Sequence, residues 1–370
     1  MNGRPIRILS VAGARPNFMK VAPLLAEFLR RGSERFGSIL VHTGQHYDAR
    51  MSDSFFSDLG SPEPDFNLAV GSGSHGKQTA EILERMEAVL QQERPDAVVV
   101  VGDVNSTIAA TLAAVKLGIP VAHVEAGLRS FDREMPEEIN RILTDSISRW
   151  LFTTEEAAEE NLHREGISPD RIHFVGNVMI DTLLANLDRA RSLDTLERLA
   201  LEPGTYGVLT LHRPSNVDDA GHLRQLIEIL EEIHDELPIL FPVHPRTQSS
   251  IEEGLGGRPP RLRTTEPLGY LEFLQLMANA RLVLTDSGGI QEETTALGID
   301  CLTLRDSTER PITISQGTNY LVGTQPDSIR KHFRQAMDQA PRNIPAPSGW
   351  DGRAAERIAD ILERDLGKTS

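Results

Sequence analysis

The chain has 370 residues, 39% of them hydrophobic, and carries 54 acidic against 38 basic side chains for a formal net charge of −16. That length suits two ordinary domains, each with its own core, and an acidic balance without a basic block excludes a general nucleic-acid binder, which needs cationic surface to displace counterions. A single cysteine, Cys301, excludes an internal disulfide framework and a cysteine zinc site, and with no apolar stretch long enough to span a bilayer the expectation is a cytoplasmic protein with no membrane insertion.

In chain order, short β-branched runs alternate with amphipathic segments. The first strand-like runs are 6–11, 38–43, 97–101, 121–124 and 151–153, with helical patterns at 21–29, 78–90 and 108–117. A further helix starts at Pro136, with Ile139, Ile142, Leu143 and Ile147 as its expected core face. The second half repeats the plan, with runs at 207–211, 239–243, 281–285 and 301–304 and helices at 222–237 and 270–278. Continuous apolar strands between helices predict an α/β protein of two doubly wound, Rossmann-like domains with parallel sheets. The boundary falls within 176–190, after a strand-like run at 172–175, and separates a domain 1–175 from a domain 176–350. A proline-rich linker at 342–349 precedes a last helix, 352–366.

In such sheets ligands sit beyond the carboxyl ends of the strands. The first strand leads into Gly13-Ala14-Arg15-Pro16-Asn17 and a helix carrying Lys20, a glycine turn at a helix start where Arg15 and Lys20 reach one anion. It lacks the glycines of a dinucleotide fingerprint and the Gly-Lys-Ser/Thr of a P-loop. The third strand ends in Gly102-Asp103, where Asp103 either projects toward a ligand or caps the next helix. Glu125 directly follows the next strand; a glutamate is a poor cap and costly to bury, so a functional role outweighs an ion pair with Arg129. Glu137 and Glu138 suit a helix N-terminus, and carboxylates gathered near one site raise one another's pKa as acid–base chemistry requires. In the second half, His212 and His244 both end strands and are followed by Arg213 and by Pro245-Arg246. The run 281–285 leads into Asp286-Ser287-Gly288-Gly289, where a helix start can hold a pyrophosphate and Glu292 or Glu293 can accept from a ribose diol.

These motifs together resemble the non-hydrolysing UDP-N-acetylglucosamine 2-epimerases. The resemblance rests on Gly13-Ala14-Arg15-Pro16, Thr43-Gly44-Gln45-His46, Gly102-Asp103, His123 through Arg129, Pro136-Glu137-Glu138, His212-Arg213, Thr285 through Glu293 and Thr308-Glu309-Arg310-Pro311. It implies a glycosyltransferase B-type fold with the two sheets facing a central cleft, a last helix returning to the first domain, and a homodimer. It implies acid–base roles for Asp103, Glu125 and Glu137, a leaving-group role for His212, and substrate contacts at Arg15 and Lys20. Ser287, Gly288 and Gly289 match the diphosphate loop, Glu293 the ribose ligand, and Arg310, Phe273 and Leu268 further nucleotide contacts. The chain departs from many members at Pro214, Ser215 and Ile312. Gln45, His46 and Gln78 resemble part of a site where some members bind a second, activating UDP-sugar, with Lys77 where an arginine often stands.

The implied reaction eliminates UDP from C1 and C2 of the sugar and adds it back with the opposite C2 configuration. It needs no metal and no cofactor. Alternatives are a close relative acting on UDP-2,3-diacetamido-glucuronate, a glycosyltransferase of the same fold, a hydrolysing epimerase, whose motifs differ around Gly102 and at 123–129, and a UDP-sugar sensor, which three carboxylates near a diphosphate oppose.

Overall fold

The computed structural model describes residues 4–44, 60, 62–243, 245–340, 342 and 344–367. They fall into two compact units, 1–185 with 348–370 and 186–347.

The first unit contains β1 (Ile6–Ala12), α1 (Arg15–Arg31), β2 (Phe36–His42), β3 (Phe66–Asn67), α2 (His75–Glu93), β4 (Ala97–Val101), α3 (Asn105–Lys116), β5 (Val121–Val124), α4 (Pro136–Ile147), β6 (Trp150–Thr153), α5 (Glu156–Arg164) and β7 (Ile172–Phe174). Helix α6 (Val178–Arg191) carries the chain across the boundary. The strands form a seven-stranded sheet in the order β3-β2-β1-β4-β5-β6-β7, with parallel pairing throughout. Val98, Val99 and Val100 of β4 are wholly buried, as expected for a strand covered on both faces. The order reverses between β1 and β4, so the turns after these strands frame the switch point where α/β sheets bind ligands.

The second unit contains α7 (Thr195–Arg198), β8 (Gly207–Thr210), α8 (Pro214–Val217), α9 (Ala220–Glu236), β9 (Ile239–Pro242), α10 (Pro245–Gly254), β10 (Arg263–Thr265), α11 (Tyr270–Ala278), β11 (Leu282–Thr285), α12 (Gly288–Leu297), β12 (Cys301–Thr303), α13 (Ile312–Ser315), β13 (Asn319–Leu321) and α14 (Pro326–Asp338). Its parallel sheet runs β10-β9-β8-β11-β12-β13, with its switch point between β8 and β11. The apolar faces of α9 and α14 and the sheet residues Leu209, Phe241 and Leu284 share one core cluster.

The last helix, α15 (Ala354–Leu366), belongs to the first unit. Arg31 of α1 pairs with Asp360 and Glu363 of α15. Asp181 of α6 accepts hydrogen bonds from the Ala354 and Ala355 N–H groups at 3.1 and 2.7 Å, which satisfies two orphan donors of the helix start. Burial pushes the Asp181 carboxyl up to about 6.

Helix α4 overturns a sequence expectation. Ile139, Leu143 and Ile147, the apolar stripe expected to face the core, are exposed at 47%, 48% and 38%. The buried face is instead Glu138, Arg141, Thr144 and Asp145. The helix is turned polar side inward because Arg141 pairs with Asp103 and Asp145 meets the buried His123 and Arg129. Charge pairing fixes its rotation where apolar periodicity alone predicts the reverse.

Candidate functional site

In the first unit the β1–α1 turn is tied to the end of β4 by Asn17, whose Oδ1 accepts from Ala14 N–H at 2.9 Å and whose Nδ2 donates to the Val101 carbonyl at 3.2 Å. Lys20, one turn further, is buried and forms an ion pair with Glu125 Oε2. The expected alternative partner, Arg129, is occupied elsewhere, by Asp145 and Glu165 at 2.7 Å each. Gly102 lies across the Lys20–Glu125 pair. Its φ is +67°, and a Cβ there would stand 3.3 Å from Lys20 Nζ and 3.6 Å from Glu125 Oε2. The positive φ selects glycine.

Glu125 itself has φ +68°, a region that a side-chain-bearing residue enters at a cost of about 1–3 kcal/mol and that concentrates at functional sites. Its Oε1 is buried without a hydrogen-bond partner among the described residues, a further destabilising feature. Two such costs at one residue require a reason beyond folding.

Asp103 does not cap α3; Val104 holds that position, and no side chain caps it. The Asp103 carboxylate, 29% exposed, pairs with Arg141, which also donates to Glu138 Oε2 at 2.6 Å. The neighbouring Asn140 holds the Asp103 carbonyl at 2.9 Å. His123 holds the carbonyl before it: Nε2 meets Gly102 O at 2.8 Å, while Nδ1 meets Asp145 Oδ1 at 2.7 Å, with both side chains fully buried. A carbonyl only accepts, so Nε2 carries a proton. Burial would raise the Asp145 carboxyl, but His123 and Arg129 hold it below its ordinary value. Glu137 is half-buried in the first turn of α4. It makes no hydrogen bond or ion pair among the described residues, unlike its neighbour Glu138. Lys20, Asp103 and Glu125 thus gather around Gly102. Arg15 starts α1, and its side chain lies outside the described positions.

In the second unit His212 follows β8, and Asp286 and Ser287 follow the neighbouring β11. His212 Nδ1 lies 2.7 Å from Asp286 Oδ1, with the imidazole 61% exposed and the carboxylate wholly buried. Ser287 is the N-cap residue of α12, so the first N–H groups of that helix form an anion-binding start. A Cβ on Gly288 would come within 2.7 Å of Arg310 Nη1 and 3.0 Å of Glu309 Oε1, which brings the helix start and Arg310 side by side. Gly289 is the next residue of the first turn.

Around Glu309 stand three guanidiniums: Arg310 at 2.6 Å, Arg305 at 2.8 Å and Arg213 at 3.8 Å. Burial alone would raise Glu309, but Arg310 and Arg305 hold its carboxyl well below the usual carboxylate range. Burial, and then the like charge of Arg305, lower the Arg213 pKa. Arg305 Nη1 is buried without a hydrogen-bond partner among the described residues. Three guanidiniums, shared among Glu309, Glu292 and Asp286, thus gather beside this helix start.

Of the two glutamates on α12, Glu292 pairs with Arg310 at 3.0 Å. Glu293 is buried near Tyr270, whose hydroxyl is 3.4 Å from Oε1. Burial pushes Glu293 up to about 8, a shift that Tyr270 opposes and Glu292 reinforces. Phe273 lies in the first turn of α11 and Leu268 in the loop before it, both half-buried. Tyr270 links this loop and helix to Glu293. His244, Gln45 and His46 lie outside the described residues. Gln78 is buried and bonds Gly71 O and Asn105.

The sequence reading assigned no role to Asn17, Arg141, Arg305 or Asp286. Only Asp286, directly after an apolar strand, carried the positional signal that singled out the others.

A sequence model of the family described as UDP-N-acetylglucosamine 2-epimerase matches residues 30–363. The UDP-N-acetylglucosamine 2-epimerase of Methanocaldococcus jannaschii is 44% identical over 367 residues, covering 96% of this chain and 99% of that protein. The UDP-2,3-diacetamido-2,3-dideoxy-D-glucuronate 2-epimerase of Pseudomonas aeruginosa is 41% identical, covering 97% of this chain and 100% of that protein. A crystal structure of the M. jannaschii enzyme in complex with UDP-GlcNAc and UDP is similar with a TM-score of 0.87 at 42% identity, over 97% of this chain and 100% of that one. With a family match over most of its length and relatives this similar from end to end, the chain belongs to the UDP-N-acetylglucosamine 2-epimerases, a family of isomerases.

Proposed function

We propose that the protein interconverts UDP-N-acetylglucosamine and UDP-N-acetylmannosamine without net hydrolysis. The C2 hydrogen of an N-acetyl sugar has no adjacent carbonyl, so direct carbanion formation is closed. In the route proposed here a carboxylate takes the C2 proton. The C2–H electron pair becomes the C1=C2 bond, and the C1–O pair leaves with the UDP β-phosphate. UDP re-adds at C1 while a proton is delivered to the opposite face of C2. The second unit holds UDP through Ser287, Gly288, Gly289 and Arg310, with Glu293 on the ribose, Phe273 and Leu268 toward the base, and His244 as a further contact. His212 meets the departing diphosphate. The first unit supplies Asp103, Glu125 and Glu137 for proton transfer, with Arg15 and Lys20 on the substrate. The observation that carries this reading is Glu125, held at φ +68° beside Lys20 and Gly102 with one carboxylate oxygen buried and unpaired among the described residues.

The test is proton NMR of the purified protein with UDP-N-acetylglucosamine in heavy water. The expected product is UDP-N-acetylmannosamine with deuterium at C2. Turnover of the UDP-2,3-diacetamido-glucuronate substrate alone would support the second reading, which the 41% identical relative favours; free N-acetylmannosamine with UDP would refute a non-hydrolysing enzyme. Glycal formation lost in Asp103→Asn but retained in Glu125→Gln assigns the base to Asp103, and the reverse assigns it to Glu125. The apolar stripe of Ile139, Leu143 and Ile147 supports a homodimer, since a monomer would leave it in water. A free buried thiol at Cys301 accords with a cytoplasmic location.

A further inference from the structure

We propose that Asp286 is a positioning residue for His212, locking the imidazole in the tautomer with its proton on Nδ1 and presenting Nε2 to the diphosphate. The inference rests on the leaving-group role of His212 given above. Four donors converge on the Asp286 carboxylate, which is wholly buried. They are the His212 N–H at 3.0 Å, the Arg213 N–H at 2.9 Å, Asn216 Nδ2 at 3.1 Å and His212 Nδ1 at 2.7 Å. The first three can only donate, so the carboxylate is held as an acceptor and Nδ1 must carry the hydrogen. Burial would raise the Asp286 carboxyl, yet His212 and the backbone donors hold it below its ordinary value.

The sheet sets this geometry. Strands β8 and β11 are neighbours with Thr210 opposite Thr285, and the two hydroxyls are 2.6 Å apart. The residues that follow are therefore delivered to the same strand ends. Arg213 Nε also donates to the Asp286 carbonyl at 3.1 Å, closing the turn from the other side. The imidazole is fixed at Nδ1 while most of the ring stays accessible. The other charges near this turn are Arg213 and, around it, Arg305, Glu309 and Arg310.

A purely structural role would make Asp286 a staple between β8 and β11. The two roles separate in Asp286→Asn. The amide oxygen stays on the backbone donors, its NH2 turns to Nδ1, and the ring proton moves to Nε2. Long-range proton–nitrogen NMR of 15N-histidine protein, with the His212 signals identified by their loss in His212→Gln, reads the tautomer directly. At a pH where the ring is neutral, the wild-type protein is expected in the Nδ1–H form and Asp286→Asn in the Nε2–H form. The variant's kcat falls about 10²-fold or more, while its UDP dissociation constant stays within about threefold, below the tenfold that 1.4 kcal/mol represents. An Nε2–H form in the wild type overturns the inference, and this spectrum decides even if the variant does not fold. Unchanged kcat with weakened UDP binding and lower stability identifies a staple and also overturns it. Absence of epimerisation in the wild type is a failure of the proposed function instead, and leaves the tautomer measurement standing.

Discussion

Glu293 provides a prediction whose sign and size follow from its burial. The side chain is 5% exposed on α12, and burial lifts its pKa from 4.5 to about 8. The folded protein therefore keeps a proton that the unfolded chain releases above about pH 4.5. Stability changes with pH as the difference in bound protons between unfolded and native states. Here the native state binds more, so this group's contribution is fully present below pH 4.5 and is lost as pH rises to 8. Between pH 5 and pH 7 the loss is on the order of 2–3 kcal/mol. Glu293→Gln keeps the shape and the neutral state but cannot ionise. Its urea midpoint is expected to fall less than the wild-type midpoint between those pH values, with the second unit followed by its own probe because two-unit unfolding need not be one transition. UDP affinity at pH 7 is expected to be retained in Glu293→Gln and reduced in Glu293→Ala, since a protonated carboxyl and an amide offer the ribose similar groups. Identical pH dependence in wild type and Glu293→Gln would refute the reasoning.

Three further outcomes follow from the geometry. Lys20→Met strands the buried Glu125 carboxylate and should cost about 3–5 kcal/mol by urea denaturation, with part recovered in Lys20→Met/Glu125→Gln; an unchanged midpoint would contradict the buried pair. Gly288→Ala places a methyl 2.7 Å from Arg310 Nη1 and 3.0 Å from Glu309 Oε1, so UDP affinity by calorimetry should fall about tenfold, or 1.4 kcal/mol, and an unchanged affinity would separate Arg310 from the UDP site. Leu143→Glu should convert the proposed dimer into a 40.8 kDa monomer by light scattering; a monomeric wild type would refute the dimer, and a dimeric variant would place the interface elsewhere.

Much of the fold was legible because buried parallel strands write themselves as unbroken apolar runs. The runs at 97–101 and 121–124 coincide with β4 and β5. The edge strands Phe66–Asn67, Arg263–Thr265 and Asn319–Leu321 were not legible, since two or three residues of mixed polarity form no run. The strand-end rule picked Asp103, Glu125, His212 and Ser287, because it depends on position after a strand and not on tertiary contacts. The partners of these residues were beyond its reach. Glu125 meets Lys20, 105 positions earlier in the chain, while the nearby Arg129 serves Asp145 and Glu165. The tautomer of His212 depends on Asp286, 74 positions later.

The pairing pattern in the first unit explains why α4 faces inward with its charges. Asp103 and Glu138 share Arg141, Glu125 has Lys20, and Asp145 has His123 and Arg129. Apolar residues of similar volume would often fold at least as well as buried ion pairs, so stability alone does not account for three such groups around one turn. Each holds part of the Gly102-Asp103 turn or the β5 end: His123 the Gly102 carbonyl, Asn140 and Arg141 the Asp103 backbone and side chain, Asp145 the Gly127 N–H. Among these carboxylates, Asp145 is held below its ordinary pKa by His123 and Arg129 against the effect of burial. Glu137 alone stands outside this pairing among the described residues.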